Sequence, residues 1–470
     1  MKHKIMGIII CMLLILSTTT LALTPFRKDE QQAKHQFFDT TPVPSLASNR
    51  WIQTYGENIT KNIFTGFSIN TEDFPCYFIE AKTSYEYGYK VGKILGSTIK
   101  TIILLSPFIE HYNQNKIQNY TQTQISYLKK YFPYELEEFE GLSDCLHIKI
   151  EKLIFLRKLI NSFFLDQCTV TLSTGKATKD NQTFLTQNFD PVGNNITSFL
   201  LHVLFFRFVS YNLWIVKVNT MRYTYAFFGI PLLREFTVLN EKGLAHGGNG
   251  IRYTSNLSQP IDEGEGLSLV SLRRLTMMIC ANITDVVNVW KTSPRESNRN
   301  DGIMTVVYCD AEGNLVSIES THSYFVAVYG NSTNMTDSYE DILWHTNHFL
   351  WLNSSLTGSI KPEENPGSVL RYKRCKELLE ENYGNITLEI CQEICRDHCE
   401  GFIPNEKDSA DICMHPEVNA FRMTAYSYIV LPNTLTIYYT HHSPCKSRYV
   451  CRNLTEPLTK SYSFLDRFIW

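Results

Sequence analysis

The stretch between Asp166 and Asp190 constrains the fold of this chain more than any other. Leu153 to Leu165 is apolar at helical spacing, whereas Cys168 to Ser173 alternates as a strand does. Turn-forming residues follow, and Thr183 to Phe189 predicts a returning strand with Asp190 at its end. We therefore expect a β-hairpin with the Cys168 thiol at the first position of a strand and a carboxylate facing it. Such an arrangement suits a nucleophile.

The composition is that of a folded globular protein and excludes several classes of function. Of 470 residues, 43% are hydrophobic and 19% charged, and 28 Phe with 26 Tyr argue against disorder. The net charge is -3 and the pI about 6.5, with no basic block. We therefore expect no nucleic-acid partner.

The first 22 residues have the three parts of a secretory signal peptide. Lys2 to Lys4 is basic, Ile5 to Leu16 is apolar, and Thr20-Leu21-Ala22 resembles a cleavage site. We expect cleavage near Ala22. An uncleaved anchor is the alternative, although a membrane span needs about 20 apolar residues.

A second apolar stretch, Phe199 to Val216, is interpreted as two buried strands. It contains His202, Arg207 and Asn212, and an arginine near a bilayer centre costs about 2.5 to 3.5 kcal/mol on insertion scales. Its β-branched and aromatic residues favour strands. We therefore expect no stable membrane span after signal cleavage.

Glycosylation sequons indicate passage through a secretory pathway, and hence a secreted or endolysosomal protein. They begin at Asn58, Asn119, Asn181, Asn195, Asn256, Asn282, Asn331, Asn334, Asn353, Asn385 and Asn453.

The cysteines fit an oxidising compartment. Of 13 cysteines, Cys391, Cys395 and Cys399 recur every four residues in a helical pattern. A metal cluster with His398 is one interpretation, but the paired short-spaced ligands of such sites are missing. We expect disulfides, with undetermined connectivity, and neither metal nor cofactor.

The pattern of elements predicts an α+β fold. Residues 23 to about 75 resemble a linker or surface wrap, and residues 84 to 165 are helical. Strands follow at 168 to about 260, and a helix pair at 264 to 290. Strands return at 303–309, 315–319 and 325–329, then helices at 368–383 and 388–398, then strands at 423–432 and 434–440.

Several short motifs follow one another along the chain. They are Gly88-Tyr89-Lys90-Val91-Gly92, Glu137-Glu138-Phe139-Glu140-Gly141-Leu142, Asp166-Gln167-Cys168-Thr169, Gln187-Asn188-Phe189-Asp190, Asn240-Glu241-Lys242-Gly243-Leu244-Ala245, Asp310-Ala311-Glu312-Gly313 through Ile318-Glu319, and His345-Thr346-Asn347-His348. Together these motifs resemble the acyl-coenzyme A:6-aminopenicillanic acid acyltransferase family, peptidase family C45 of the N-terminal nucleophile (Ntn) hydrolases. The resemblance covers about residues 84 to 445, and His-Thr-Asn-His is its most specific motif.

The resemblance implies a four-layer αββα sandwich and cleavage of the Gln167-Cys168 bond by the Cys168 thiol. Two associated chains would result, a helical N-terminal segment of about 23–167 and a catalytic region of 168–470. Cleavage frees an α-amine, with a reference pKa of about 7.7 to 8.0, that serves as the base. Gln167 stands where the family has glycine, the residue that best tolerates a strained conformation.

The resemblance also implies roles for other residues. Asn347 aligns with an oxyanion-hole donor, although alone it could be a turn-forming residue. Asp190 aligns with an active-site aspartate, or is a cap. Arg422 aligns with an active-site arginine that pairs with Asp190 or a substrate carboxylate, or forms a structural ion pair. Thr321 falls where the family can use a hydroxyl.

Three further residues near these motifs receive more modest expectations. Asn249 either lines the cavity or belongs to a tight turn. His345 and His348 are expected to brace their loop rather than take part in chemistry.

Two functions follow from these observations. The first is a secreted or lysosomal amidohydrolase or acyltransferase that captures the acyl group of a small-molecule amide or thioester on Cys168. The second is a glycoprotein with the same fold but no chemistry, acting as a binding module. The joint presence of Cys168, Asp190, Asn347 and Arg422 favours the enzyme.

Overall fold

The computed structural model describes residues 52–53, 76–105, 114–162, 166–191, 212–256, 258–298, 303–330, 340–399, 410–414, 423–440 and 442–459. Its helices are α1 Ser84–Leu105, α2 Gln114–Tyr131, α3 Pro133–Leu146, α4 Ile150–Ser162, α5 Leu269–Ile279, α6 Ile283–Thr292, α7 Ser354–Thr357, α8 Pro366–Glu381, α9 Leu388–Arg396 and α10 Thr455–Thr459.

The strands form two sheets. They are β1 Ile52–Gln53, β2 Cys76–Ala81, β3 Asp166–Ser173, β4 Phe184–Pro191, β5 Leu213–Val218, β6 Tyr225–Ile230, β7 Arg234–Asn240, β8 Ala245–Ile251, β9 Ile303–Cys309, β10 Leu315–Ser320, β11 Phe325–Tyr329, β12 Ile342–His345, β13 Tyr426–Leu431, β14 Thr436–Tyr439 and β15 Val450–Asn453. The first sheet has the order β1-β2-β5-β6-β7-β8-β9-β10-β11, and the second has the order β12-β3-β4-β13-β14-β15.

Three apolar clusters show that the two sheets and their helices form four layers. Between the first sheet and helices α1 to α6 lie side chains such as Val91, Phe139 and Tyr308. Between the sheets, the first contributes Phe228 and Val307, while the second contributes residues such as Val170 and Tyr428. The outer face of the second sheet packs on α8 and α9. The predicted αββα sandwich is confirmed.

Most predicted elements are present within a few residues of the expected bounds. The helical segment, the helix pair α5 and α6, and strands β9 to β11 are confirmed. Strand β2 was missed, although it joins the first sheet between β1 and β5. The sequence predicted two strands in Phe199 to Val216. The structure describes this stretch only from residue 212 onward, and that part contains the start of β5. In the described parts of the chain, no helix has the length and apolar character needed to cross a membrane.

Two glycines allow α1 and α3 to cross at backbone contact distance. A Cβ on Gly88 would lie 1.8 Å from the carbonyl oxygen of Glu138, and a Cβ on Gly141 would lie 2.0 Å from that of Tyr85. Neither side could yield, because both opposing atoms are backbone. The glycines in the two upstream motifs are therefore explained by helix packing.

A buried charge network links the helical segment to the rest of the chain. Arg274 on α5 contacts Glu135 and Glu138 on α3 at 2.5 and 2.9 Å and Glu235 on β7 at 2.8 Å. Arg157 on α4 also contacts Glu135, at 3.0 Å. Three carboxylates thus share two guanidinium groups. Burial, together with the charges of Glu135 and Glu235, raises the pKa of Glu138 to about 8 despite Arg274.

Candidate active site

The hairpin of β3 and β4 carries Cys168 into the interior. Cys168 pairs with Phe189, and both side chains lie between the two sheets, with Cys168 only 2% exposed. The expectation that Cys168 begins its strand is wrong, because β4 continues to Pro191 and its partner Asp166 extends β3 by two residues. Gln167 has ordinary strand backbone in this ladder, so its position does not require glycine.

Three side chains hold the backbone of Cys168. Its nitrogen, the atom that cleavage would convert to an amine, donates to Oδ1 of Asn347 at 3.0 Å. Its carbonyl oxygen accepts hydrogen bonds from Arg371 at 2.9 Å and from Asn249 Nδ2 at 3.4 Å. The peptide groups on both sides of the Cys168 Cα are thereby fixed.

Asn347 follows β12 and has a defined orientation. Its Oδ1 also accepts from Arg371 at 2.9 Å, and because arginine can only donate, the oxygen end of the amide must face Cys168. Its Nδ2 donates to the Gly250 carbonyl at 2.7 Å, and its backbone N–H donates to Ser368 Oγ at 2.7 Å. Asn347 therefore positions the Cys168 nitrogen, while its predicted oxyanion role stays a prediction.

Arg371 is the site residue that was missed from the sequence. It lies on α8, is fully buried, and also donates to Thr169 Oγ1 at 2.7 Å. The sequence does carry a signal, since Arg371 shares one helical stripe with Cys375 and Leu379, both buried. A cation within an apolar stripe requires partners, and the backbone of Cys168 supplies one of them.

The two histidines beside Asn347 brace its loop, as expected. His345 contacts Glu319 at 2.9 Å, and the same carboxylate accepts the backbone N–H groups of Leu350 to Leu352. His348 contacts Ser368 Oγ at 2.8 Å. Burial, with the nearby His345 and Arg371, lowers the pKa of His348 to about 3, so its ring stays neutral.

A cavity of about 120 Å³ borders Cys168 and extends from the sheets toward the helices. Strands β7 and β8 are paired where Leu239 faces Ala245, next to the turn that joins them. Farther from this turn, residues of both strands border the cavity. Helices α2, α4 and α5 and strands of the second sheet also border the cavity. Residues of the N-terminal segment therefore share one cavity with the candidate nucleophile.

His246 borders this cavity and has a neutral imidazole ring. Its Nδ1 lies 2.8 Å from the Thr237 carbonyl oxygen, which requires a proton on Nδ1 and leaves a lone pair on Nε2. Burial and the charge of Arg273 lower the pKa of His246 to about 3. The ring therefore remains uncharged in all but strongly acidic conditions.

The family of the chain is decided by a match to a sequence model. The model described as acyl-coenzyme A:6-aminopenicillanic acid acyl-transferase matches residues 178–444, more than half of the chain. The chain belongs to this family. The predicted class of enzyme, an acyltransferase or amide hydrolase of the Ntn-hydrolase kind, is thereby confirmed.

A comparison with solved structures finds penicillin V acylase from Agrobacterium tumefaciens, at 11% identity over 62% of this chain and 87% of that chain, with a TM-score of 0.35. Two variants of conjugated bile acid hydrolase from Clostridium perfringens match at 13% identity. They cover 62% and 63% of this chain and 93% and 97% of theirs, with TM-scores of 0.36 and 0.35. No curated protein sequence matches the chain.

Asp190 lies beside the candidate nucleophile, Cys168, but on the other face of the sheet. It pairs with Gln167 rather than Cys168, and adjacent strand residues point to opposite faces. Its Oδ1 accepts from Thr424 at 2.6 Å. The expectation that this carboxylate faces the Cys168 thiol is therefore wrong, while a catalytic role for Asp190 stays a prediction.

The remaining predicted residues are placed as follows. Thr321, after β10, donates to Asp262 at 2.5 Å and is buried, and its catalytic role stays a prediction. Asn249 contacts the Cys168 carbonyl, whereas its neighbours Gly248 and Gly250 border the cavity. Arg422 lies outside the described residues.

The predicted cysteine chemistry stays open. Side chains of His398, Cys413 and Cys445 lie within 4.8 Å of one another, near enough for a metal or for a disulfide between the two cysteines. Burial raises the pKa of the Cys413 thiol, which disfavours the thiolate that a metal would require. The structure joins none of the twelve cysteines among the described residues in a disulfide, so the expected disulfides are not confirmed.

Proposed function

We propose that this chain is a cysteine Ntn amidohydrolase or acyltransferase that captures the acyl group of an N-acyl amide or acyl thioester on Cys168. One observation carries the proposal. The backbone nitrogen and carbonyl of Cys168 are held by Asn347 and Arg371, while its side chain borders a cavity. A structural cysteine in a hairpin needs none of these contacts.

The first step is self-cleavage between Gln167 and Cys168. The Cys168 sulfur attacks the Gln167 carbonyl carbon, a thioester forms, and the C–N bond breaks as the nitrogen takes up a proton. Water then hydrolyses the thioester, which leaves a carboxyl group on Gln167 and a free thiol and amine on Cys168. The contact to Asn347 would keep that amine in place.

In the second reaction, the new amine accepts the thiol proton and the sulfur attacks the substrate carbonyl. The acyl group moves to Cys168, and the leaving amine or thiol takes the proton. Water or an acceptor amine then attacks the thioester and regenerates the thiol. The buried cation of Arg371 favours this chemistry, because a nearby positive charge stabilises a thiolate and keeps more of the resting amine neutral, as a base must be before it accepts the thiol proton.

The N-terminal segment is proposed to remain after cleavage. Tyr120, Arg157, Lys158 and Asn161 all border the cavity, so loss of 23–167 would open it. The ion pairs of Arg274 also join the two proposed chains, because Glu135 and Glu138 precede the Gln167–Cys168 bond and Arg274 follows it. Separating the chains would leave these buried charges uncompensated.

We further propose a secreted or endolysosomal location. The N-terminal pattern of residues 1–22 and the sequons support it. Six sequon asparagines are exposed in the described parts of the chain, as glycosylation requires: Asn119, Asn181, Asn256, Asn353, Asn385 and Asn453.

N-terminal sequencing and intact mass of the protein purified from a secretory host test the proposal. We expect a new terminus beginning Cys168-Thr169-Val170 and two chains that co-elute on gel filtration. Cys168→Ala should stay uncleaved. Incubating the cleaved protein with acyl p-nitroanilides should add the acyl mass to the second chain.

Two results would reject the proposal. One is an intact chain whose Cys168 is held in a disulfide, as expected of a silent glycoprotein that only binds. The other is a cleaved protein in which no acyl mass appears on Cys168 with any amide or thioester tested.

A further inference from the structure

Gln187 is a buried neighbour of Cys168 in the hairpin of β3 and β4. Cys168 faces Phe189 across the two strands, and Gln187 lies two residues before Phe189 on β4. Residues i and i+2 of a strand share one face, and a long side chain can reach its diagonal neighbour across an antiparallel pair. Gln187 is 2% exposed and borders the same cavity as Cys168. Its carboxamide is therefore within reach of a group bound at Cys168.

Two backbone groups fix the orientation of the Gln187 carboxamide. Its Oε1 accepts the backbone N–H of Gly248 on β8 at 2.9 Å, so the side chain bridges the two sheets. Because a backbone N–H can only donate, the oxygen end of the amide must face β8. Its Nε2 donates to the backbone carbonyl of Asn188 at 3.1 Å. The oxygen is thus held at the first sheet and the nitrogen at the second.

Gly247 provides the space for this bridge. A Cβ on Gly247 would lie 2.9 Å from Gln187 Oε1 and 3.1 Å from Val170 Cγ2, closer than side chains normally approach. The missing side chain at Gly247 therefore allows the Gln187 amide to reach β8.

The hairpin register places the Gln187 nitrogen on the side of β4 that faces β3. In an antiparallel pair, opposed residues alternate between pairs that exchange hydrogen bonds and pairs that do not. The N–H and carbonyl of Cys168 are bound by side chains of other elements, so Cys168 and Phe189 form a non-hydrogen-bonded pair. The next pair, Thr169 and Asn188, is then the hydrogen-bonded one, and its Asn188 carbonyl points to β3. Because Nε2 donates to this carbonyl, it lies toward the strand of Cys168.

This nitrogen can offer one further donor to a bound substrate. An amide nitrogen carries two hydrogens, and the Asn188 carbonyl accepts one of them. Among the described residues, none accepts the other. Glutamine side chains are among the donors that stabilise a carbonyl oxygen as it becomes negatively charged under attack. A donor that is already oriented needs no rearrangement when that charge develops.

We propose that Gln187 is a catalytic residue whose Nε2 donates a hydrogen bond to the substrate carbonyl oxygen while the Cys168 sulfur attacks the carbonyl carbon. An electron pair of the C=O bond moves onto the oxygen, and the hydrogen bond stabilises the resulting negative charge. No proton is transferred in this contact, and the C=O bond re-forms when the amine or thiol departs. The inference rests on the proposed function of Cys168, to which it adds an oxyanion donor.

Gln187→Met tests the donor, because methionine has a similar length and no N–H. We expect kcat of the cleaved protein with an acyl p-nitroanilide to fall about 100- to 1,000-fold. KM should stay within about threefold, because the hydrogen bond strengthens only in the transition state. Gln187→Glu, which keeps an acceptor for the Gly248 N–H, should show the same loss. Unchanged kcat in both variants would overturn the proposal.

Gln124→Met is the matched control. Gln124 is a buried glutamine on α2 that donates to the Gly266 carbonyl at 3.0 Å and to Glu296 at 3.3 Å, and it does not border the cavity. Its kcat should stay within about threefold of the unsubstituted protein, because it has no contact with the reacting carbonyl.

A change in the substrate separates a hydrogen bond to the carbonyl from a general distortion of the cavity. In the thioamide counterpart of the substrate, sulfur replaces the carbonyl oxygen. Gln187→Met should lower kcat for the thioamide by less than about tenfold, because sulfur is a weak hydrogen-bond acceptor. An equal loss with the oxygen and sulfur substrates would overturn the proposal.

Self-cleavage distinguishes the substrate carbonyl from that of Gln167. The backbone groups of Gln167, like those of Thr169, point into the ladder with β4 rather than into the cavity. The Gln187 variants should therefore still cleave before Cys168. A folded variant that stays uncleaved would overturn the assignment to the substrate carbonyl.

Failure of this inference is distinct from failure of the proposed function. If no substrate acylates Cys168 of the unsubstituted protein, the proposed function fails and this inference fails with it. If the unsubstituted protein and the Gln187 variants turn over substrate equally, only this inference fails. If the variants do not fold, the infrared carbonyl stretch of an isotope-labelled acyl group on Cys168 decides. We expect a lower frequency in the folded than in the urea-unfolded acyl-protein, and equal frequencies would overturn the proposal.

Discussion

Replacing Arg371 with glutamine tests the site most directly. Arg371 donates to three acceptors, the Cys168 carbonyl, Thr169 Oγ1 and Asn347 Oδ1, at 2.7 to 2.9 Å. Hydrogen bonds to a charged donor each contribute about 1.5 to 3 kcal/mol to stability. Losing all three would therefore cost about 4.5 to 9 kcal/mol if nothing compensated.

Two effects reduce that sum. The Cys168 carbonyl and Asn347 Oδ1 each keep another donor, Asn249 Nδ2 and the Cys168 N–H respectively. Removing a fully buried cation also restores several kcal/mol of desolvation free energy. We therefore expect Arg371→Gln to lower the free energy of unfolding by about 3 kcal/mol, in the range found for breaking a buried ionic contact.

Urea unfolding in the Cys168→Ala background measures this change on one uncleaved chain. Arg371→Lys should recover only part of the loss, because an ammonium cannot reproduce the two-armed contact. Arg374→Gln, which removes a half-buried surface pair, should cost at most about 1 kcal/mol. With Cys168 restored, Arg371→Gln should also slow self-cleavage by about a hundredfold or more. A loss below about 1 kcal/mol together with normal cleavage would refute our account of Arg371.

Three further predictions concern the interior. Glu138 keeps its proton in the folded state up to about pH 8 but loses it near 4.5 when unfolded, so it lowers stability as pH rises between these values. The difference in free energy of unfolding between Glu138→Gln and the unsubstituted protein should therefore shift in favour of the variant from pH 5 to pH 8. Urea unfolding that gives the same difference at both pH values would contradict this. His246 is neutral when folded above about pH 3 but is protonated below 6.5 when unfolded, so its contribution is lost as pH falls. Compared with His246→Gln, the unsubstituted protein should lose about 2 kcal/mol between pH 7 and pH 5. Gly141→Ala should destabilise by about 3 kcal/mol through the clash of α1 with α3, whereas Gly96→Ala, which meets only the end of the Leu146 side chain, should cost far less. Equal melting temperatures for the two alanine variants would show that the helices separate easily.

Local patterns in the sequence were sufficient for most of the fold. The alternation at Cys168 to Ser173 and the apolar spacing at Leu153 to Leu165 depend on neighbouring residues, and β3 and α4 follow them closely. Strand β2 was not predicted, and its place in the sheet depends on β5, which lies far along the chain.

The candidate site was likewise predicted only in part from the sequence. Motif resemblance singled out Cys168 and Asn347 as candidates. They are 179 positions apart in the sequence, and the fold brings the Cys168 nitrogen within 3.0 Å of Asn347 Oδ1. Motif resemblance could not identify Arg371, whose importance comes from the packing of α8 against the second sheet.

The sequence by itself determined the hairpin and the family and singled out Cys168 as the candidate nucleophile, because periodicity and motifs can be read along the chain. Tertiary structure alone decided the strand register that turns Asp190 away from the thiol, and the bridge from Gln187 to Gly248 between the sheets. The physical reason is that hydrogen bonds and charge pairs depend on distance in space. Residues of β4 and β8 become neighbours only when the two sheets pack face to face.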